Sequence, residues 1–95
     1  MKKYQWMDGS GRECGLPVMT MNDAEYGYHT GECVHFINEL MENIDMSNID
    51  IEQSRRVLTE YGIEDIQEKN EHEIKELILW IACGDISENP EIYEI

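Results

Sequence analysis

Apolar residues recur at helical spacing from Cys33 to Ile44: Cys33, Phe36, Ile37, Leu40, Met41 and Ile44 follow the i, i+3, i+4 rule. Thr30 precedes this run as its N-cap, because its hydroxyl can accept from first-turn amides. A second helix starts at Asp50, with Gln53 completing a capping box, turns Ile51, Val57, Leu58 and Tyr61 inward and stops at Gly62. Glu52 and Arg56, four apart, form its expected surface ion pair. Ile63 to Lys69 reads as one loose turn. Asn70 and Glu73 then form another capping-box pattern, opening a helix that Gly84 closes. Ile74, Leu77, Ile78 and Ile81 make one stripe there, and Leu79 and Trp80 widen it. A helix apolar on most sides is central to a core.

The ends of the chain read differently. Asp8-Gly9 and Ser10-Gly11 are turn signals between runs holding aromatic or β-branched residues, which predicts a hairpin over about 3–7 and 12–20. Pro17 has no N–H, so the second strand breaks there or lies at an edge. Asn22-Asp23 caps a short turn, with Gly27 and Gly31 opposing a longer helix. The tail Glu-Ile-Tyr-Glu-Ile alternates like a short strand, which sets Glu91 and Glu94 beside Lys2 and Lys3. The expected fold is α+β: an N-terminal β-hairpin, with room for a C-terminal strand, packed on about three helices in one domain over 1–95.

Charge changes the picture more than composition does. The 95 residues carry 21 Asp and Glu against 7 Lys and Arg, a formal charge of −14, while 41% hydrophobic content keeps the chain in the globular class. No Lys or Arg occurs between Arg12 and Arg55, whereas Gly31 to Glu52 holds six carboxylates. Such a balance argues against direct nucleic-acid binding, where Lys and Arg neutralise phosphates. Residues 51–83 have helix–turn–helix spacing, but Lys75 stands among Glu71, Glu73 and Glu76, so a packing unit is expected rather than a DNA reader. No membrane-length apolar run or secretion signal is visible, and the odd count of three cysteines favours thiols in a reducing, cytoplasmic setting.

Candidate chemistry is sparse. Cys14, His29, Cys33 and His35 are the residues a zinc ion would use, yet they lack the paired knuckle spacing. On a helix Cys33 and His35 diverge by about 200°. Cys14 with His29 could be a nucleophile and base beside the turn at Gly15, but no local signature surrounds them, and nearby acids oppose thiolate formation. No cofactor, metal or catalytic residue is therefore assigned, and a non-enzymatic role is expected.

The surplus acids remain. Glu32, Glu39 and Glu42 fall on the side of their helix opposite the apolar stripe, and Asp45, Asp50 and Glu52 continue the series. Glu25, Tyr26 and Tyr28 form an acidic-aromatic patch of the kind that suits arginine and lysine. These nine residues are the expected contact set for a basic protein surface. In length, charge and lack of a catalytic motif the whole chain resembles the small acidic single-domain inhibitors of phages and mobile elements, notably anti-CRISPR proteins and other nucleic-acid mimics. No specific motif carries that resemblance, so no residue role transfers from it. It implies a nucleic-acid-handling partner such as a CRISPR effector, inhibited by steric blockade of its basic channel. The alternative is a structural or adaptor domain, a homodimer included, that makes contact through an apolar surface containing methionines and Trp80.

Overall fold

The computed structural model describes residues 2–8, 11, 13–29 and 34–95. Among these described residues five helices follow one another: α1 (Met21–His29), α2 (Val34–Asn43), α3 (Ile51–Glu60), α4 (Glu71–Glu88) and α5 (Pro90–Tyr93), with a 3-10 turn at Ile66–Glu68 before α4. The α+β expectation is overturned, because among the described residues there are isolated bridges and no strand or sheet.

The reason lies in the register of the N-terminal segment. Tyr4 and Met19 exchange both backbone hydrogen bonds at 2.9 Å. The next hydrogen-bonded pair of an antiparallel ladder would be Trp6 opposite Pro17. Proline has no N–H to give, so pairing ends after a single bridge. Beyond the bridge the contact is made by a side chain instead, the Gln5 amide donating to the Leu16 carbonyl at 2.7 Å. In the opposite direction residue 21 already belongs to α1.

The predicted C-terminal strand is likewise a helical turn, with Pro90 at its N-terminus. The last residues do return to the N-terminal segment. Gln5 N–H donates to the Tyr93 carbonyl (2.9 Å) and Ile95 N–H to the Lys3 carbonyl (3.0 Å). Lys2 and Glu94 approach to 3.3 Å, but both are exposed, so the pair adds little stability.

Helix α4 is the central element, and α1, α2, α3 and α5 all pack on it. Asn70 caps it in a complete capping box: Asn70 Oδ1 accepts from Glu73 N–H (2.9 Å), and Glu73 Oε1 accepts from Asn70 N–H (3.2 Å). Ile74, Ile78, Leu79 and Ile86 are fully buried. Each such side chain stabilises the fold by about 1.5–3 kcal/mol. Two expectations for this helix fail. Gly84 does not end it, since α4 runs on to Glu88, and Trp80 is no core residue, being 36% exposed. The interior tryptophan is Trp6, wholly buried, whose indole N–H reaches Asp85 Oδ2 at 2.9 Å.

The role of Gly84 traces to α1, which is nine residues long and runs through Gly27. Its cap is reciprocal: Thr20 Oγ1 accepts from Asp23 N–H, and Asp23 Oδ2 accepts from Thr20 N–H, each at 3.3 Å. A Cβ at Gly27 would stand 2.5 Å from Cys83 Sγ and 3.1 Å from Leu40 Cδ2. A Cβ at Gly84 would stand 3.1 Å from the Tyr28 ring. Glycine on each helix therefore lets the two cross closely.

Helix α3 ends as its sequence predicts. Gly62, at φ 86°, donates to Thr59 O, and Ile63 N–H reaches back to Leu58 O, a Schellman motif. Its expected Glu52–Arg56 pair is not made; Arg56 donates to Gln53 Oε1 at 2.9 Å.

Gly27→Ala separates packing from helix propensity. Alanine favours an isolated helix by about 1 kcal/mol, whereas overpacking costs about 1–3 kcal/mol. Urea denaturation is expected to show a lower midpoint for this variant at an unchanged slope. An unaltered or raised midpoint would mean that the crossing yields without cost.

Candidate functional site

The acids proposed as contacts divide by what their carboxylates already do. Asp50 is the N-cap of α3, accepting from Gln53 N–H at 3.0 Å, and its own N–H donates to the Cys14 carbonyl at 2.9 Å. Asp45 Oδ1 accepts from both the backbone and hydroxyl of Ser47 (2.9 and 2.5 Å), and these bonds, the hydroxyl's first, hold its carboxyl below the ordinary range. Glu39 is half-buried and accepts from the Tyr26 hydroxyl. Glu25, Glu42 and Glu52 are exposed. Glu32 lies outside the described residues.

Four helices end with no basic side chain in the last turn: α2, α3, α4 and α5. Glu42, Glu60 and Glu88 occupy last turns instead. Negative charge at a helix C-terminus opposes the macrodipole, so these positions cost stability. The nearby guanidiniums are turned elsewhere. Arg55 donates to the carbonyls of Ile66 (2.5 Å) and Lys69 (2.9 Å), tying α3 to the segment before α4.

Tyr26 and Tyr28, both 40% exposed, flank α1 on opposite sides. Tyr26 leans toward α2, its ring edge-on to Phe36 with centroids 5.4 Å apart. Tyr28 lies over Gly84 of α4 and donates to Glu88 Oε1 at 2.5 Å. In each case the hydrogen bond to a carboxylate, first of all, raises the phenol above its ordinary pKa. Glu88 had no distinguishing mark in the sequence, because only the α1–α4 crossing brings Tyr28 to it.

A second group gathers around Asp85. Its Oδ2 accepts from the Trp6 indole and from the Tyr61 hydroxyl (3.1 Å), joining the N-terminal segment, α4 and the end of α3. Burial, then the Asp85 charge, pushes the Tyr61 and Tyr93 hydroxyls upward. Asp8, 7% exposed, adds negative charge near Tyr61.

Cys14 is wholly buried, and the Asn48 carbonyl oxygen occupies the space a Cβ on Gly15 would take, 1.9 Å away. Burial raises the Cys83 thiol to about 12. Cys33 and the side chains of His29 and His35 lie outside the described residues. Among the described residues no group of three or more His, Cys, Asp or Glu side chains is placed to hold a metal ion. No helix described is long and apolar enough to cross a membrane. No protein-family model, curated protein or solved structure matches the chain.

The raised tyrosines fix the sign of an alkaline effect. A phenol whose folded pKa exceeds its unfolded value near 10.0 contributes stability that is complete below that pH and lost as pH rises. Urea midpoints measured from pH 9 to 11 are expected to fall, and less steeply in Tyr61→Phe than in wild type. Equal slopes would show that Tyr61 is not held in its protonated form by Asp85 and burial.

Proposed function

We propose that this chain is a non-enzymatic binding protein whose acidic surface docks on a basic surface of a protein partner. The observation that carries the reading is that exposed acid stands at positions unfavourable to folding, Glu42 above all. Glu42 opposes the dipole of α2, and Glu39 stands one turn before it with like charge. Asp45 and Glu52 continue the negative surface, while the two arginines of α3 are engaged with carbonyl and amide oxygens. Arrayed carboxylates are acceptors for arginine and lysine, as phosphates are. A groove that normally holds nucleic acid is the partner chemistry that fits. A CRISPR effector is one such partner, and blockade of its channel is the corresponding mechanism.

The apolar alternative is favoured by Ile92 and Ile95, 63% and 72% exposed, together with Trp80. Among the described methionines, Met19 and Met46 are buried, and Met21 and Met41 pack against the core.

Charge reversal at Glu42 separates folding from binding. Glu42→Lys is expected to raise stability by about 0.3–1 kcal/mol by removing the clash with the α2 dipole. Combined with Glu52→Lys it is expected to lose the partner that wild type captures from host extract at low salt. Wild-type capture itself should weaken as salt rises. Capture that resists both salt and charge reversal would overturn the acidic-surface reading. A mass that doubles with concentration beside such capture would point to the apolar contact.

A further inference from the structure

Helix α1 has one buried side and one open ridge. Ala24 and Gly27 lie on its buried side, Asn22 and Glu25 stand on the exposed crest, and Tyr26 and Tyr28 form its two margins. Each margin is built the same way from different elements. The Tyr26 hydroxyl meets Glu39 of α2, and the Tyr28 hydroxyl meets Glu88 of α4 at 2.5 Å. Each pairs a carboxylate with a partly exposed aromatic ring, the Tyr28 ring resting on Gly84 and the Tyr26 ring braced by Phe36.

We propose that this ridge is a docking surface for arginine side chains of a basic protein partner. The inference rests on the acidic-surface reading above and names the chemistry that the surface selects. A guanidinium is planar, stacks on an aromatic face and binds a carboxylate through two parallel N–H groups. A lysine ammonium satisfies the charge but gains less from the ring. At Tyr28 the hydroxyl holds Glu88 Oε1 and orients the carboxylate, so its other oxygen can receive a guanidinium beside the ring. Charge complementarity sets the sign of the occupant: Glu25, Glu39 and Glu88 border the ridge, and the chain has no Lys or Arg from residue 13 to residue 54. The two margins lie across one helix, a separation of about 10 Å. Two arginines of one partner surface can therefore engage together.

The test compares an eight-residue arginine peptide with an eight-residue lysine peptide, each titrated into the full chain at low salt and followed by NMR. The arginine peptide is expected to bind about fivefold tighter, the size of a cation–π increment. Its shifts are expected on the Tyr26 and Tyr28 ring protons. Glu88→Gln and Tyr28→Leu are each expected to reduce that preference, leaving lysine-peptide affinity within about twofold. Because Tyr28 packs on Gly84, the exposed Glu88 variant remains informative even if Tyr28→Leu fails to fold. Equal binding of both peptides, or shifts that map away from α1, overturns this inference. If that equal binding is weakened by Glu42→Lys with Glu52→Lys, the acidic-surface reading survives alone. Binding of neither peptide removes both.

Discussion

Helices α1 and α4 can cross closely because each presents a glycine at the contact. Gly27 leaves room for Cys83 and Leu40, and Gly84 leaves room for the Tyr28 ring. Side chains at either position would drive the helices apart, since interiors are packed without spare volume. Much of the outer surface follows from that contact. It turns Ala24 inward, exposes Asn22 and Glu25, and carries the Tyr28 hydroxyl to Glu88. The start of α1 is fixed by the same economy of short contacts, with Thr20 and Asp23 capping each other one residue after the Tyr4–Met19 bridge.

Asp85 supplies the second joint. One carboxylate oxygen receives a buried indole from the N-terminal segment and a phenol from the end of α3. A polar atom of a buried side chain needs such a partner, because leaving it unpaired costs about 1–3 kcal/mol. The joint explains how the interior accommodates Trp6, while Trp80 stays partly at the surface.

The net charge of −14 is therefore not one property. Asp23, Asp50, Glu73 and Asp85 accept hydrogen bonds that hold helix ends or connect segments. Glu42, Glu60 and Glu88 instead stand at helix C-termini, where their sign is unfavourable. Residues of the first kind are explained by folding; Glu88 also accepts the Tyr28 hydroxyl, and Glu42 is the one a partner would have to explain. Asp50 belongs in the first group, although its position in the sequence also put it among the expected contacts.

What the sequence determined by itself is what depends on bonds spanning a few residues. The α2 stripe, the Asp50 cap, the Asn70–Glu73 box, the stop at Gly62 and the break at Pro17 are all local, and each was legible. Thr20–Asp23 was equally local but used Asp where Glu or Gln is the familiar signal. Tertiary structure alone decided whether Gly27 and Gly84 interrupt helices or let them meet, and which tryptophan lies inside. It also decided which carboxylate each ridge tyrosine holds: Tyr26 and Glu39 are 13 residues apart, Tyr28 and Glu88 are 60. A capping residue finds its partner within one helical turn whatever the rest of the chain does. A glycine or a tyrosine hydroxyl acquires its role only when another helix arrives beside it.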